Sequence, residues 1–391
     1  MSDDPRTQHP FHMHDAILAQ PEAFARTVER NAEAADRLAA EAASGGRLFF
    51  VGIGTSFHAA RVGEHLAREY GGGVDARAVH SFDFALYGPE LAPEDLVLCI
   101  SHRGNKRYTI EGLERAREAG CLTALVAGEG GGGGAVGADH VLFTVGQERS
   151  AAHTVSYTGA VAALASLAVA FGERGTGTAP LAENLLTEGL PDALREALGT
   201  EEEAAALARE HAGRRRIWLA GGGPSAVTAE EVALKIEETS YLQAEGTATE
   251  ALIHGPLLCA EAEDLFVLVA PDGAARERTL ELSGLVEELG APALIVGDGV
   301  PEVPEGARWI AVPPVPEPFS ALTCLVPLQL FAYHLALARE EPRLLPRGRP
   351  ALPEDPRAGA VVGRDNKILG PGAAARDQAE HALKLARRRA P

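Results

Sequence analysis

The chain has 391 residues, too many for one compact core at roughly 100 to 200 residues per domain, so two or three domains are expected. Its 46% hydrophobic and 23% charged content is that of a globular protein and excludes disordered, collagen-like and coiled-coil classes. With 36 basic against 55 acidic residues the formal charge is −19, a field that repels nucleic acid and anionic membrane but still permits a small phosphorylated ligand, because local loops and helix N-termini decide anion binding.

The first residues, MSDDPRTQHPFHMHDAI, hold no basic region leading into an apolar core, and no apolar run approaches the roughly 18 residues of a membrane span. Neither export nor membrane insertion is expected. Cys99, Cys121, Cys259 and Cys324 stand singly, without a CxxC pair or disulfide-like spacing, which fits a reduced cytoplasm. His9, His12 and His14 cluster near a terminus expected to fray, so no metal site is read there. Residues 11–43 carry apolar positions at helical spacing.

Short apolar strands follow near 47–52, 74–79, 96–100, 121–126 and 141–145, separated by amphipathic stretches, the pattern of βαβ units and a parallel sheet buried on both faces. The first strand runs into VGIGTSFHAA, a glycine-rich turn with Thr55 and Ser56 placed to cap the next helix and offer an anion site. A dinucleotide fold needs GxGxxG and an acidic residue after the second strand; the third glycine is absent and that strand ends at His80 and Ser81, so NAD is disfavoured and no cofactor is expected. After the third strand, SHRGNKRYT gathers Ser101, Arg103, Asn105 and Lys106 around Gly104, donors suited to phosphate or carboxylate, or else a solvated polar turn. Gly130 to Gly134 reads as a surface loop tip, 151–171 as a small-residue helix too polar at its start to span a bilayer, and 172–205 as a connector.

Laid over itself at an offset of 169, the sequence repeats. RLFFVGIGTS at 47–56 falls on RIWLAGGGPS at 216–225, DLVLCISHRG at 95–104 on DLFVLVAPDG at 264–273, and LVAGEG at 125–130 on LIVGDG at 294–299. The second repeat has strands near 216–220, 265–270, 292–296 and 309–312. The loop matching SHRGNK is APDGAA, which lacks its donors, so the first repeat is expected to bind and the second to support. In GGGPSAVTAEEVALKIEETSYLQAEGTATEALIHGP, Ser225 or Thr228 can cap a helix on which Glu231 and Lys235 pair at i, i+4 and Lys235 and Glu238 lie three apart; with His254 before Gly-Pro this is either an acid/base set or a salt-bridged surface helix. Prolines break 341–356, and 374–389 reads as a basic surface helix.

In order along the chain, GIGTSFHAA, SHRGNKRYT, AAHTVSYTGA and ALKIEETSYLQAEGTATEALIHGP resemble the paired sugar isomerase (SIS) domains of glucosamine-6-phosphate synthase and its relatives, over about residues 12 to 360. The resemblance implies an α/β protein of two tandem flavodoxin-like domains, dimeric, binding a hexose or amino-sugar 6-phosphate. It maps the ligand-holding loops to Gly54, Thr55, Ser56, Ser101, His102, Arg103, Gly104, Asn105, Lys106 and His153. The proton carrier between C1 and C2 maps to Glu238, its lysine neighbour to Lys235, and the ring-opening histidine, contributed across the dimer, to His254. Expected boundaries are a helical segment 1–43, a first domain 44–190, a second 191–345 and a tail 346–391.

The sequence also departs from the family pattern. A synthase begins with a glutaminase domain whose N-terminal cysteine releases ammonia, whereas residue 2 here is Ser2, so no ammonia from glutamine is expected. The Schiff-base lysine of the family tail is matched by Val361 in PRAGAVVG. SxSGxT has become SHRGNK, the STK step is His153, Thr154 and Val155, and Ala251 stands where a glutamate would. The expected activity is isomerisation, deamination or deglycation of a phosphosugar without metal or cofactor. The alternatives are a non-catalytic sugar-phosphate sensor and an isomerase subunit fed with external ammonia.

Overall fold

A computed structural model describes residues 6, 8–42, 45–131, 137–182, 184–299 and 305–339, and the backbone at 361–362 and 368–369. Two helices, α1 (His12–Leu18) and α2 (Gln20–Glu41), precede the first repeat. That repeat runs β1 (Arg47–Gly52), α3 (Thr55–Tyr70), β2 (Asp75–His80), α4 (Ser81–Tyr87), β3 (Leu96–Ile100), α5 (Arg107–Glu118), β4 (Leu122–Glu129), β5 (His140–Gly146) and α6 (Val155–Thr176). Helices α7 (Leu190–Leu198) and α8 (Glu201–Glu210) connect it to the second. There follow β6 (Arg216–Gly221), α9 (Pro224–Ser240), β7 (Gln243–Ala248), α10 (Thr249–Ile253), β8 (Leu265–Val269), α11 (Arg276–Leu289), β9 (Ala293–Gly297), β10 (Arg308–Ala311), α12 (Glu317–Thr323) and α13 (Leu325–Ala338).

Each repeat forms a five-stranded sheet, ordered β2-β1-β3-β4-β5 and β7-β6-β8-β9-β10, with every pair parallel. The central strands are apolar on both faces, as in LVLCI of β3 and LFVLV of β8, because helices cover both sides. This is the flavodoxin-like order, and its switch point, where ligands bind at the carboxyl ends, lies between the first and third strands. The fold is thus two tandem α/β units.

The sequence reading overlooked β7. Its residues QAEGTA are polar and lie on an edge, half exposed, so they carry no apolar run. The repeat itself held the signal, since an offset of 169 carries β2 onto 244–249.

One core extends through both units, with α2, α3, α6, α9 and α13 packed together between the sheets. Helix α3 lies against α9, and Tyr70 stacks on Phe319 at 5.7 Å. Val155–Thr176 and Glu317–Ala338 are long and apolar enough to cross a membrane by length and composition, which corrects the reading that no segment is. Both are largely buried inside the fold, and their apolar sides on every face serve that core.

The start of the described chain is docked rather than frayed. Met13 and Ile17 are buried, worth about 1.5–3 kcal/mol each. Tyr333 Oη accepts from the backbone N–H of Phe11 (3.1 Å) and lies 2.8 Å from His9 Nδ1, while Glu201 Oε1 lies 2.7 Å from His14 Nε2 and 3.0 Å from His334 Nε2. The proline-rich stretch 341–356, the expected helix at 374–389 and Gly132 to Gly134 lie outside the described residues. Val361 and Val362 pair antiparallel with Ile368 and Leu369.

Candidate functional site

At the switch point of the first sheet β1 turns sharply into α3. A Cβ on Gly52 would lie 2.3 Å from the carbonyl oxygen of Ser56, so only glycine allows strand and helix this close, and Gly54 takes φ +56° at the turn. The expected side-chain caps are not made. Gly54 and Gly223 occupy the N-cap positions, and Thr55 and Pro224 are already the first helical residues. Thr228 instead directs its hydroxyl to the carbonyls of Pro224 and Ala321, both at 3.4 Å.

Freed from capping, Thr55 reaches across to the second unit. Its Oγ accepts from Lys235 Nζ (2.9 Å) and donates to Glu231 Oε1 (3.2 Å). Lys235 Nζ also meets Glu238 Oε2 at 2.8 Å and Glu231 Oε1 at 3.3 Å. Glu231 and Lys235 are both 0% exposed, so this is no solvated surface helix: α9 buries its charged face against α3. Burial alone would lower the lysine pKa, but Glu231 and Glu238 outweigh it and hold Lys235 raised, hence protonated. Its ammonium thus joins the two carboxylates.

Beside this network lies a cavity of about 560 Å³. Gly54, Thr55, Ser56, Ser101, His102, Arg103, Lys106 and His153 line it from the first unit, and Glu238, 37% exposed, enters from the second. Gly104 and Asn105 are not among the lining residues: Gly104, at φ +64°, shapes the turn, and Asn105 faces solvent. His254 lies apart, 75% exposed, 3.1 Å from Glu250. The structure therefore brings Lys235 and Glu238 together with the two loops, but not His254.

Two imidazoles in the wall are neutral. His102 Nε2 accepts from the backbone N–H of Glu148 (3.0 Å), which leaves the ring proton on Nδ1, and burial aided by Arg103 brings its pKa down to about 4. His153, 2.9 Å from Ser156 Oγ, is brought down to about 3, mainly by burial, then by the adjoining His102 ring and the cations Lys235, Arg103 and Lys106. Glu148 anchors both: its carboxylate accepts from the N–H and hydroxyl of Thr154 (2.8 and 3.2 Å) and of Ser156 (3.1 and 2.5 Å), closing the N-terminus of α6. Ser101 Oγ and Tyr157 Oη are buried in this wall without a hydrogen-bond partner among the described residues.

Sequence reasoning missed Glu148, Tyr157 and His58, and gave Glu231 only as a helix partner. Tyr157 and Ser156 lie in the AAHTVSYTGA stretch and were within reach. His58, whose Nδ1 is 2.6 Å from Glu231 Oε2, pairs with a residue 173 positions away, which no local pattern reveals.

Residues 43–171 and 212–339 each match the SIS domain. The chain belongs to the SIS domain family. It is 30% identical over 353 residues to a glutamine–fructose-6-phosphate aminotransferase (isomerizing) of Caulobacter vibrioides, covering 85% of this chain and 57% of that protein. The SIS chain thus spans somewhat over half the length of the curated relatives it matches. Among solved structures, the C-terminal domain of glucosamine-fructose-6-phosphate aminotransferase from Francisella tularensis superposes with a TM-score of 0.77 at 20% identity, covering 87% of this chain and 98% of that one. Tagatose-6-phosphate ketose/aldose isomerase from Escherichia coli gives 0.74 at 19% identity, covering 89% and 98%. These two likenesses establish the fold.

Proposed function

We propose that this SIS protein is a cytoplasmic phosphosugar enzyme that moves a proton between C1 and C2 of an open-chain hexose or amino-sugar 6-phosphate, isomerising it or releasing its amine. The observation that carries this reading is Glu238, a carboxylate held by a buried ammonium at the edge of a cavity whose opposite wall supplies hydroxyls and cations.

The phosphate is assigned to Ser101, Arg103 and Lys106 with the hydroxyl of Ser56, where charge-assisted bonds suit a dianion, while Thr55, whose hydroxyl proton goes to Glu231, holds the network beside it. His102 and His153, neutral at physiological pH, offer hydrogen bonds to sugar hydroxyls without adding charge. With the phosphate so fixed, a carbon acid beside the carbonyl is presented to Glu238. The carboxylate removes the proton from one carbon and returns it to the next through an enediol or enolamine. Lys235 stays protonated and fixes the rotamer of Glu238. Where the substrate carries an amine on that carbon, the resulting imine is open to water and the amine leaves. His254 is assigned to ring opening in the site of a second copy; its exposure, next to Leu258 at 92% exposed, supports a role completed by a partner.

The test is proton exchange in heavy water. Hexose 6-phosphates, amino-sugar 6-phosphates and fructosamine phosphates are followed at C1 and C2 by NMR, together with amine release. Glu238→Gln is expected to lower exchange by about 10²–10⁴-fold, the range of a positioned acid/base group, with binding retained. Binding without exchange by the wild type would replace this reading with a sugar-phosphate sensor.

A further inference from the structure

Glu231 and Lys235, both at 0% exposure, neutralise each other, and Glu238, 37% exposed, carries the remaining negative charge of the network while sharing the same ammonium. Among the described residues, the only titratable group bonded to this trio from the other domain is His58 of α3, whose Nδ1 lies 2.6 Å from Glu231 Oε2 with the side chain 12% exposed. Because a carboxylate only accepts, His58 donates to Glu231 from Nδ1, which leaves Nε2 as its second nitrogen. That Nε2 faces Glu230 at 3.8 Å, and Arg61, one turn along α3, pairs with Glu230. From α6, Tyr157 feels Glu231, Glu230 and Arg61.

We infer that His58 is a positioning residue that sets the proton affinity of Glu238 through Glu231 and Lys235. Glu231 divides its acceptor capacity between His58 and Lys235, and Lys235 divides its charge between Glu231 and Glu238. A stronger hold by His58 on Glu231 frees Lys235 toward Glu238 and makes Glu238 a weaker base; loss of His58 draws Lys235 back toward Glu231 and makes Glu238 a stronger but less firmly held one. The chain begins on the first domain and ends on the catalytic carboxylate of the second, so the packing of α3 on α9 sets the chemistry. The inference rests on the reading of Glu238 as the proton carrier.

The experiment compares wild type, His58→Leu and His58→Gln in the full chain, reading the pH profile of kcat and KM and, without any substrate, the carbon-13 titration of the Glu238 carboxylate. His58→Leu is expected to lower kcat at pH 7 at least fivefold with KM within twofold, and to move the acid limb and the Glu238 midpoint up by at least half a unit. His58→Gln, which keeps an N–H for Glu231, is expected to return kcat to within threefold of wild type. A folded His58→Leu with wild-type profile and midpoint overturns the inference, as does a His58→Gln no better than His58→Leu. Should His58→Leu not fold, Glu231→Gln decides: the Glu238 midpoint is expected to move down, and an unmoved midpoint overturns the inference. Wild-type protein that exchanges no phosphosugar while the midpoints move as expected removes the proposed function and leaves the coupling standing.

Discussion

A Cβ placed on Gly54 meets nothing within 4 Å and one on its counterpart Gly223 meets only His65 at 3.9 Å, but where Ile53 lines the first cavity the second repeat has Gly222, and a Cβ there would lie 2.1 Å from Cβ of Ala275. The first cleft is open and the second is shut. The acidic residues at equivalent positions explain how. At the offset of 169, Glu129 falls on Asp298 and Glu148 on Glu317. In the second repeat Asp298 accepts from the N–H of Asp272 (2.5 Å) and Glu317 from that of Ala274 (3.2 Å), so the chain's own carboxylates occupy the donors at the sheet edge. In the first repeat Glu129 turns to Arg30 of α2 and Glu148 turns into the first turn of α6, leaving the Ser101–Lys106 loop to face the cavity. One fold edge therefore either keeps its loop open to the cavity or has its donors taken by the chain's own carboxylates, depending on where two carboxylates point.

The largest test of this contrast is pH, because His102 and His153 fall on Pro271 and Leu322, so this histidine pair belongs to the first cleft alone. Their folded pKa values, about 4 and about 3, lie below the ordinary histidine value, so the fold favours the neutral rings. Their contribution is complete above about 6.5 and is lost as pH falls toward the folded values, at up to about 1.4 kcal/mol per pH unit for each ring. Urea unfolding at pH 7 and pH 5 is expected to show a steeper loss for wild type than for the His102→Asn/His153→Asn variant.

Next comes the cap. Glu148→Ala orphans two backbone N–H groups and two hydroxyls at the buried start of α6, and is expected to cost about 2–4 kcal/mol by chemical denaturation. It also loosens Ser156 and with it His153, while His102 keeps its bond to the backbone N–H of position 148. A smaller effect belongs to the cations. Arg103→Ala and Lys106→Ala each remove a charged donor from the cavity wall, and each is expected to weaken phosphate binding by about 1.5–3 kcal/mol, roughly 10- to 100-fold by calorimetry.

The open cleft was largely legible in the sequence. Buried strands announce themselves as apolar runs, and nine of the ten sheet strands described above fall within a residue or so of their expected starts. The loops at their carboxyl ends could be read for donors because the topology dictates which way they point. The caps were misread because Ser and Thr beside glycines look like capping residues, while the turn's positive φ gives the cap position to glycine and frees Thr55 for Lys235. The charged face of α9 looked solvated because its partners on α3 lie some 175 residues earlier, and only packing brings His58 to Glu231. The closed cleft could not be inferred at all, since Glu148 and Glu317 are the same residue at the same repeat position and differ only in where the side chain turns.

That last pair gives the smallest and sharpest prediction. Glu317→Ala removes one acceptor at a solvent-accessible loop, so Ala274 N–H passes to water and the cost is expected to be about 0.5–1 kcal/mol, several times less than at Glu148. The change vacates the space above Gly273, where Glu317 now sits within 2.4 Å of a would-be Cβ. Yet the loop still carries Asp272 where the first repeat has Arg103, and Ala275 still closes on Gly222, so in the Arg103→Ala background, where the first site is already weakened, Glu317→Ala is expected to add no phosphate binding. Phosphate binding by that double variant, at a strength comparable to the wild-type site, would mean that the internal carboxylate alone keeps the second cleft empty. Silence would mean that charge and closure at the Asp272–Ala275 loop had already fixed the division between the repeats.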